Sequence, residues 1–143
     1  MSRVLDLRGP RGALTAAAAR ELCACTRGAS GAEFVGLIAS TWALGGGDGG
    51  SAAEVAAAIA RMPRLREAVL ADCIAGRPEA EGLEVLSRLG AALAALPAGQ
   101  LQVLDISDNA VRAGAARRRA RARAIHAHRC NYLSAATPPR RSG

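Results

Sequence analysis

An α/β solenoid, in which short parallel β-strands alternate with α-helices over about three to four repeats, is the fold class predicted by this 143-residue chain. Two observations carry the prediction. An alternating apolar pair recurs at Leu5/Leu7, Val35/Leu37, Ala68/Leu70 and Leu104/Ile106, at steps of 30, 33 and 36 residues. Alternate spacing puts both members on one face of a strand. A single short strand cannot bury that face, so its return at a near-constant interval means that neighbouring units stack. The second observation is that each interval between strands reads as a helix.

Taken in order, Thr15 is placed to cap a helix over 16–25, whose alanine-rich content has high helix propensity. Ser51-Ala52-Ala53-Glu54 has the form of a capping box opening a helix that runs to Met62. Pro78 suits a first helical turn, and Glu79, Glu81 and Glu84 place negative charge at its electropositive end. Leu83, Leu86, Leu89, Leu93 and Leu96 then form one apolar stripe at spacings of three and four, and Pro97-Ala98-Gly99 stops the helix.

The last strand, Leu101 to Asn109, fits the leucine-rich-repeat template L-x-x-L-x-L-x-x-N, so the fold class is sharpened to a leucine-rich-repeat solenoid. The template wants a polar or small residue five positions after the first member of each pair, to satisfy backbone groups in the turn that leaves the strand. Those positions hold Pro10, Ser40, Cys73 and Asn109. Asn109 and Cys73 are ideal, Ser40 is tolerable and Pro10 is poor. Asn109, Cys73 and Ser40 are therefore expected to hold turns.

Leu70 to Val111, and above all Ala75-Gly76-Arg77-Pro78-Glu79-Ala80-Glu81 followed by Leu-Asp-Ile-Ser-Asp-Asn-Ala-Val, resembles the Ran GTPase-activating proteins, especially the plant-type members. A generic leucine-rich repeat has no reason to place Gly-Arg there. Leu14-Thr15 through Glu21-Leu22-Cys23 also resembles the region before that family's first repeats, and Gly45-Gly46-Gly47-Asp48-Gly49-Gly50 stands out as an insertion in a likeness that spans about residues 3 to 114. The resemblance implies a crescent that binds a Ran-type GTPase in its GTP state along the loops following the strands. It implies that hydrolysis is accelerated by orienting the GTPase's own machinery, without an inserted arginine finger. Arg77 matches the family's Gly-Arg arginine and is expected to bind and orient. Asp72 and Asp108 occupy strand-exit loops that would face the partner. The family continues with further repeats where this chain turns to arginine and alanine, so the chain is expected to hold only the first few units of a longer solenoid.

Charge divides the chain at the same place. Residues 1–111 carry ten arginines against twelve acids, net −2, whereas residues 112–143 carry nine arginines and no acid, net +9. The expected organisation is a partial repeat domain over 1–111 and a basic helix or disordered tail over 112–143. Arg117-Arg118-Arg119-Ala120-Arg121-Ala122-Arg123 could neutralise phosphates, but it lacks interleaved aromatics for base stacking, so nucleic acid is not the expected partner. The run also destroys the repeat pattern, which favours a stretch of arginine-rich coding over a functional arm.

Other chemistries find little footing. Cys23, Cys25, Cys73 and Cys130 contain no pair with the two-residue gap of a zinc knuckle or redox motif, and His126, His128 and Cys130 would splay apart on a helix. The glycine run is followed by no lysine to reach a phosphate, and no serine or cysteine nucleophile has a matching histidine. No metal, cofactor, small-molecule substrate or catalytic site of the chain's own is expected. Apolar runs are too short to cross a bilayer, and the start lacks the apolar core of a signal peptide, so the expected setting is the cytoplasm, including its perinuclear part. The alternative function is a non-catalytic leucine-rich-repeat module for protein–protein interaction. Aromatics are only 2% of the chain and alanine fills many inward positions, so marginal stability is expected. The best-packed residues should be Phe34, Val35, Leu37, Leu65, Leu70, Leu86, Leu89, Leu93, Leu101, Leu104 and Ile106.

Overall fold

Alternating apolar residues make strands, alanine-rich intervals make helices, and the two alternate along the chain as β1 (Arg3–Asp6), β2 (Gly12–Leu14), α1 (Ala16–Leu22), β3 (Phe34–Ile38), β4 (Trp42–Leu44), α2 (Ser51–Ala60), β5 (Glu67–Val69), α3 (Glu79–Ala94) and β6 (Val103–Asp105). The computed structural model describes residues 2–9, 12–40 and 42–109. Pro10 and the tail from Ala110, including its arginine cluster and His126, His128 and Cys130, lie outside the described residues. Four strands form an open parallel sheet in the order β1-β3-β5-β6, so each lies beside the next of its kind in the sequence. The helices lie side by side, α2 touching both α1 and α3. The chain is thus a mixed α/β fold of strand-and-helix units.

Register corrects one expectation. Leu5 stands opposite Leu37, Leu37 opposite Ala68 and Ala68 opposite Leu104, so the second inward pair is Leu37/Ala39 and not Val35/Leu37. The next rung continues the ladder: Leu7 donates to the Ile38 carbonyl, Ala39 to Val69 and Leu70 to Asp105, at 2.7 to 2.8 Å. Side chains alternate with period two, so a slip of two residues leaves the same side chains facing inward and the apolar pattern is blind to it. Val35 is accordingly half-buried, while Leu37 and Ala39 are sealed. The same shift moves the second turn position from Ser40 to Trp42.

A second parallel pair, β2 with β4, stacks Leu14 beside Leu44, and the Leu44 amide donates to the Cys73 carbonyl at 2.9 Å. The repeat template covers only the first strand of each unit, which is why this pair was not expected.

Thr15 caps α1, accepting from the Ala18 amide at 3.2 Å, but that helix ends at Leu22 and tightens into a 3-10 turn over Cys23–Thr26. The expected capping box at Ser51 does not form. Gly50 is the N-cap, the buried Ser51 hydroxyl accepts from the Gly45 amide at 2.7 Å, and Glu54 pairs with Arg20 of α1 at 2.7 Å. The Gly45 amide in the preceding loop and Arg20 of α1 thus claim both side chains in place of the capping box. Pro78 is the N-cap of α3, one residue before the turn it was expected to open. The α3 stripe is rotated from the leucine count: Gly82, Val85, Leu89 and Leu93 are buried, whereas Leu83, Leu86 and Leu96 are half-buried.

The core is sealed at its centre by Leu44, Val55, Ile59, Met62, Leu65 and Ala68, with no exposed surface. Ala19, Ala52 and Ala58 are equally buried, filling positions where a small side chain lets neighbouring elements approach. Of the expected core residues, Phe34, Leu37, Leu65, Leu70, Leu89 and Leu93 are buried, and Leu86, Leu101 and Leu104 pack against them from half-buried positions. Ile106 is a correction at 45% exposed, because β6 is the last described strand and no described helix follows to cover it. Two glycines leave no room for a side chain against backbone: a Cβ at Gly31 would stand 2.2 Å from the Arg61 carbonyl oxygen, and one at Gly50 would stand 2.1 Å from that of Gly46.

Candidate functional site

Asp72 and Asp108 occupy the same position in consecutive units, four residues after Ala68 and Leu104, which are paired across β5 and β6. Both have left-handed backbone, φ +53° and +57°. Aspartate is among the few residues with a side chain that tolerate this region. The Asp72 amide donates to the Ser107 carbonyl at 3.1 Å, which carries the β-ladder into the exit loops. The strand ends therefore hold the two carboxylates in matched places. Among the described residues neither carboxylate has a hydrogen bond or an ion pair.

The residue after each aspartate turns inward. Asn109 is the keystone of this turn: its Oδ1 accepts from the Cys73 amide at 2.9 Å, and its Nδ2 donates to the carbonyls of Leu70 at 2.8 Å and Ile106 at 3.0 Å. Cys73, one unit earlier, is fully buried. Ser40 makes no such bond among the described residues; Trp42, five residues after Leu37, has its ring against Gly9 and an Nε1 without a hydrogen-bond partner among the described residues.

Burial pushes the Cys73 thiol up to about 12 and the Cys23 thiol up to about 11, from an ordinary 9.0. The folded values lie above the unfolded one, so the stability they confer is complete below pH 9.0 and is lost as pH rises toward 11 to 12. The urea midpoint should therefore fall steadily across that interval. At pH 8, iodoacetamide should modify the exposed Cys25 in the native protein and reach Cys23 and Cys73 only after denaturation, as peptide mass spectrometry would show.

Arg77 follows Gly76, whose φ of +71° turns the chain out of the loop and toward α3. Its Nη2 donates to the Ala43 carbonyl of β4 at 2.9 Å, and its Nη1 lies 3.5 Å from Glu81, four residues along. The side chain is only 22% exposed, and its Nε is buried without a hydrogen-bond partner among the described residues. Arg77 thus sits on the expected edge, but its guanidinium is folded back over the preceding unit.

Two clefts share this arginine. One, of about 270 Å³, is lined by Asp72, Ile74, Arg77, Pro78, Leu83 and Asp108 among others. The other, of about 330 Å³, runs from Asp72 and Arg77 across Ala43 to Gly12 and Ala13. Both open beside Asp72 and Arg77 on the strand-exit edge, and Asp108 lines the first. The structure brings Asp72, Arg77 and Asp108 together there, and leaves Ser40 out. It also brings in Glu81 and the glycine run, which sequence reasoning had assigned to the helix end and to an insertion. The four-residue spacing of Arg77 and Glu81 was the available signal.

Among the described residues no group of three or more histidine, cysteine, aspartate or glutamate side chains could hold a metal ion, and no helix is long and apolar enough to cross a membrane. No family model, curated protein or solved structure matches the chain.

Proposed function

We propose that the chain is a stack of leucine-rich-repeat units that docks a protein along its strand-exit edge, and that the partner is a Ran-type GTPase in its GTP state, whose hydrolysis the contact promotes by orienting the GTPase's own groups. The observation that carries docking is the matched pair Asp72 and Asp108, held at equivalent strand exits without partners among the described residues and bordering one cleft with Arg77. Uncommitted carboxylates on a rigid edge suit a basic surface, and opposite charge speeds and orients encounter. The Gly76-Arg77-Pro78 resemblance supplies the identity of the partner, and the strand-by-strand ladder with an asparagine-held turn supports the repeat class. Perinuclear cytoplasm is the setting that this partner implies.

The test is retention of Ran on the immobilised chain, loaded with GTP or with GDP, alongside phosphate release in solution. GTP-loaded Ran should be retained over the GDP form, and Asp72→Asn with Asp108→Asn should weaken retention about tenfold, since asparagine keeps the left-handed turn and removes the charge. Retention of neither form would remove Ran as the partner. A second reading, a non-catalytic interaction module, is favoured by one observation: the Arg77 guanidinium is already committed to Ala43 and Glu81. Binding without faster phosphate release would select it.

A further inference from the structure

We propose that Arg77 is stowed by a clasp formed from Glu81 and the glycine run, and that Glu81 is the positioning residue that decides whether the guanidinium can reach a partner. The proposal concerns regulation of the docking edge and rests on that reading only for the benefit of releasing Arg77.

Three contacts close a circuit through the backbone of residues 43–46, and three more brace it. Arg77 Nη2 donates to the Ala43 carbonyl, two residues before the glycine run begins, at 2.9 Å. Arg77 Nη1 faces Glu81 Oε1 at 3.5 Å, and the same oxygen accepts from the Gly46 amide at 3.2 Å. Next along the loop, the Gly47 amide donates to Glu84 Oε1 at 2.7 Å. Arg88 ties this second half down, bonding Asp48 at 3.1 Å and Glu84 at 3.4 Å. Glu81 is thus fixed from the loop side, and a fixed carboxylate holds an arginine better than a free one because less side-chain freedom is lost when they pair.

The glycines leave room for this. A Cβ at Gly46 would come within 3.0 Å of Glu84 Oε2 and 3.2 Å of Glu81 Cγ, so the carboxylates occupy the space a side chain would take. A loop of glycines is also the segment that can move at least steric cost. The stowed guanidinium is incompletely satisfied, because its Nε is buried with no acceptor among the described residues. Buried donors without acceptors are uncommon and costly, so an acceptor from a docking protein gains by drawing the group out. Partner binding then exchanges Ala43 and Glu81 for the partner's own acceptors.

Labelling with the arginine-selective reagent phenylglyoxal, followed by peptide mass spectrometry on the full chain, tests this without any partner. Arg77 should react more slowly than the exposed Arg64 in the wild type, and Glu81→Ala should raise its rate about three- to tenfold while leaving Arg64 unchanged. Glu81→Gln, which keeps the acceptor for Gly46 and loses the charge, should give a smaller rise. Wild-type Arg77 reacting as fast as Arg64, or no rise in Glu81→Ala with unchanged far-UV circular dichroism, overturns the clasp. If Glu81→Ala loses its circular dichroism, the Glu81→Gln rate decides, and no rise there overturns it as well. A rise in labelling with no Ran retained by any variant upholds the clasp and removes the Ran reading. Ran retention without a rise in labelling does the reverse.

Discussion

Ile59→Ala is expected to destabilise the protein by about 2 to 5 kcal/mol, the range for truncating a sealed aliphatic side chain. Ile59 lies on α2, the helix that touches both α1 and α3, and has no exposed surface. The other sealed residues of α2 include Ala52 and Ala58, whose side chains are too short to fill the cavity it leaves. Small domains have about 5 to 15 kcal/mol of stability in all, so this one change consumes a large share. Urea unfolding followed by far-UV circular dichroism would measure it, with Leu22→Ala as the comparison. Leu22 is 41% exposed at the end of α1, and its truncation should cost under about 1 kcal/mol. Equal losses in the two variants would contradict the packing described.

Asn109→Ala is the second large effect, at about 2 to 3 kcal/mol. Removing the carboxamide strands the Cys73 amide and the Leu70 carbonyl, both partly buried, and frees the Ile106 carbonyl. Asn109→Asp should be no better: it keeps an acceptor for Cys73 but replaces the two donated bonds with a charge facing two carbonyl oxygens. Ser40→Ala should change the urea midpoint by the equivalent of under about 0.5 kcal/mol, because Ser40 makes no hydrogen bond that holds a turn among the described residues. A loss at Ser40 comparable with that at Asn109 would restore the register that the ladder corrects.

These two residues show where sequence reading reaches and where it stops. Asn109 was legible as a turn holder because the repeat template places an amide side chain five residues after Leu104, while its bonds to Cys73 and Leu70 of the preceding unit come from the stacking of units. Leu5, Leu37 and Leu104 were legible as inward-facing because alternation is a property of the strand itself. The register between units was not legible at β3, because Val35, Leu37 and Ala39 all face one way and nothing local says which of them meets Leu5. Ser51 and Glu54 form a local capping motif in sequence, yet Gly45 and Arg20, brought in by the fold, hold them instead. Ile106 was misplaced for a further reason: its alternation points it inward, but burial needs a neighbouring helix as well as a direction.

At the site the division is similar. The Gly76-Arg77-Pro78 motif and the strand-exit positions of Asp72 and Asp108 could be read directly, and the left-handed backbone at both aspartates is compatible with turn-forming residue types. The fold-back of Arg77 could not be read. It depends on the Ala43 carbonyl, which β4 brings into reach, and on Gly46, which steadies Glu81 from 35 residues away. A glycine run looks flexible in sequence because flexibility is what glycine confers. Here the flexibility lets two amides reach carboxylates on a neighbouring helix.

Hydrogen–deuterium exchange on the full chain with Ran loaded with GTP tests the docking edge most directly. Peptides spanning 72–77 and 105–109 should exchange more slowly with the GTP-loaded protein present, while α1 and the outer face of α2 should be unchanged, and GDP-loaded Ran should leave all of them as they are. Protection confined to the helical side, or protection that is the same with both nucleotides, would contradict docking through the strand exits.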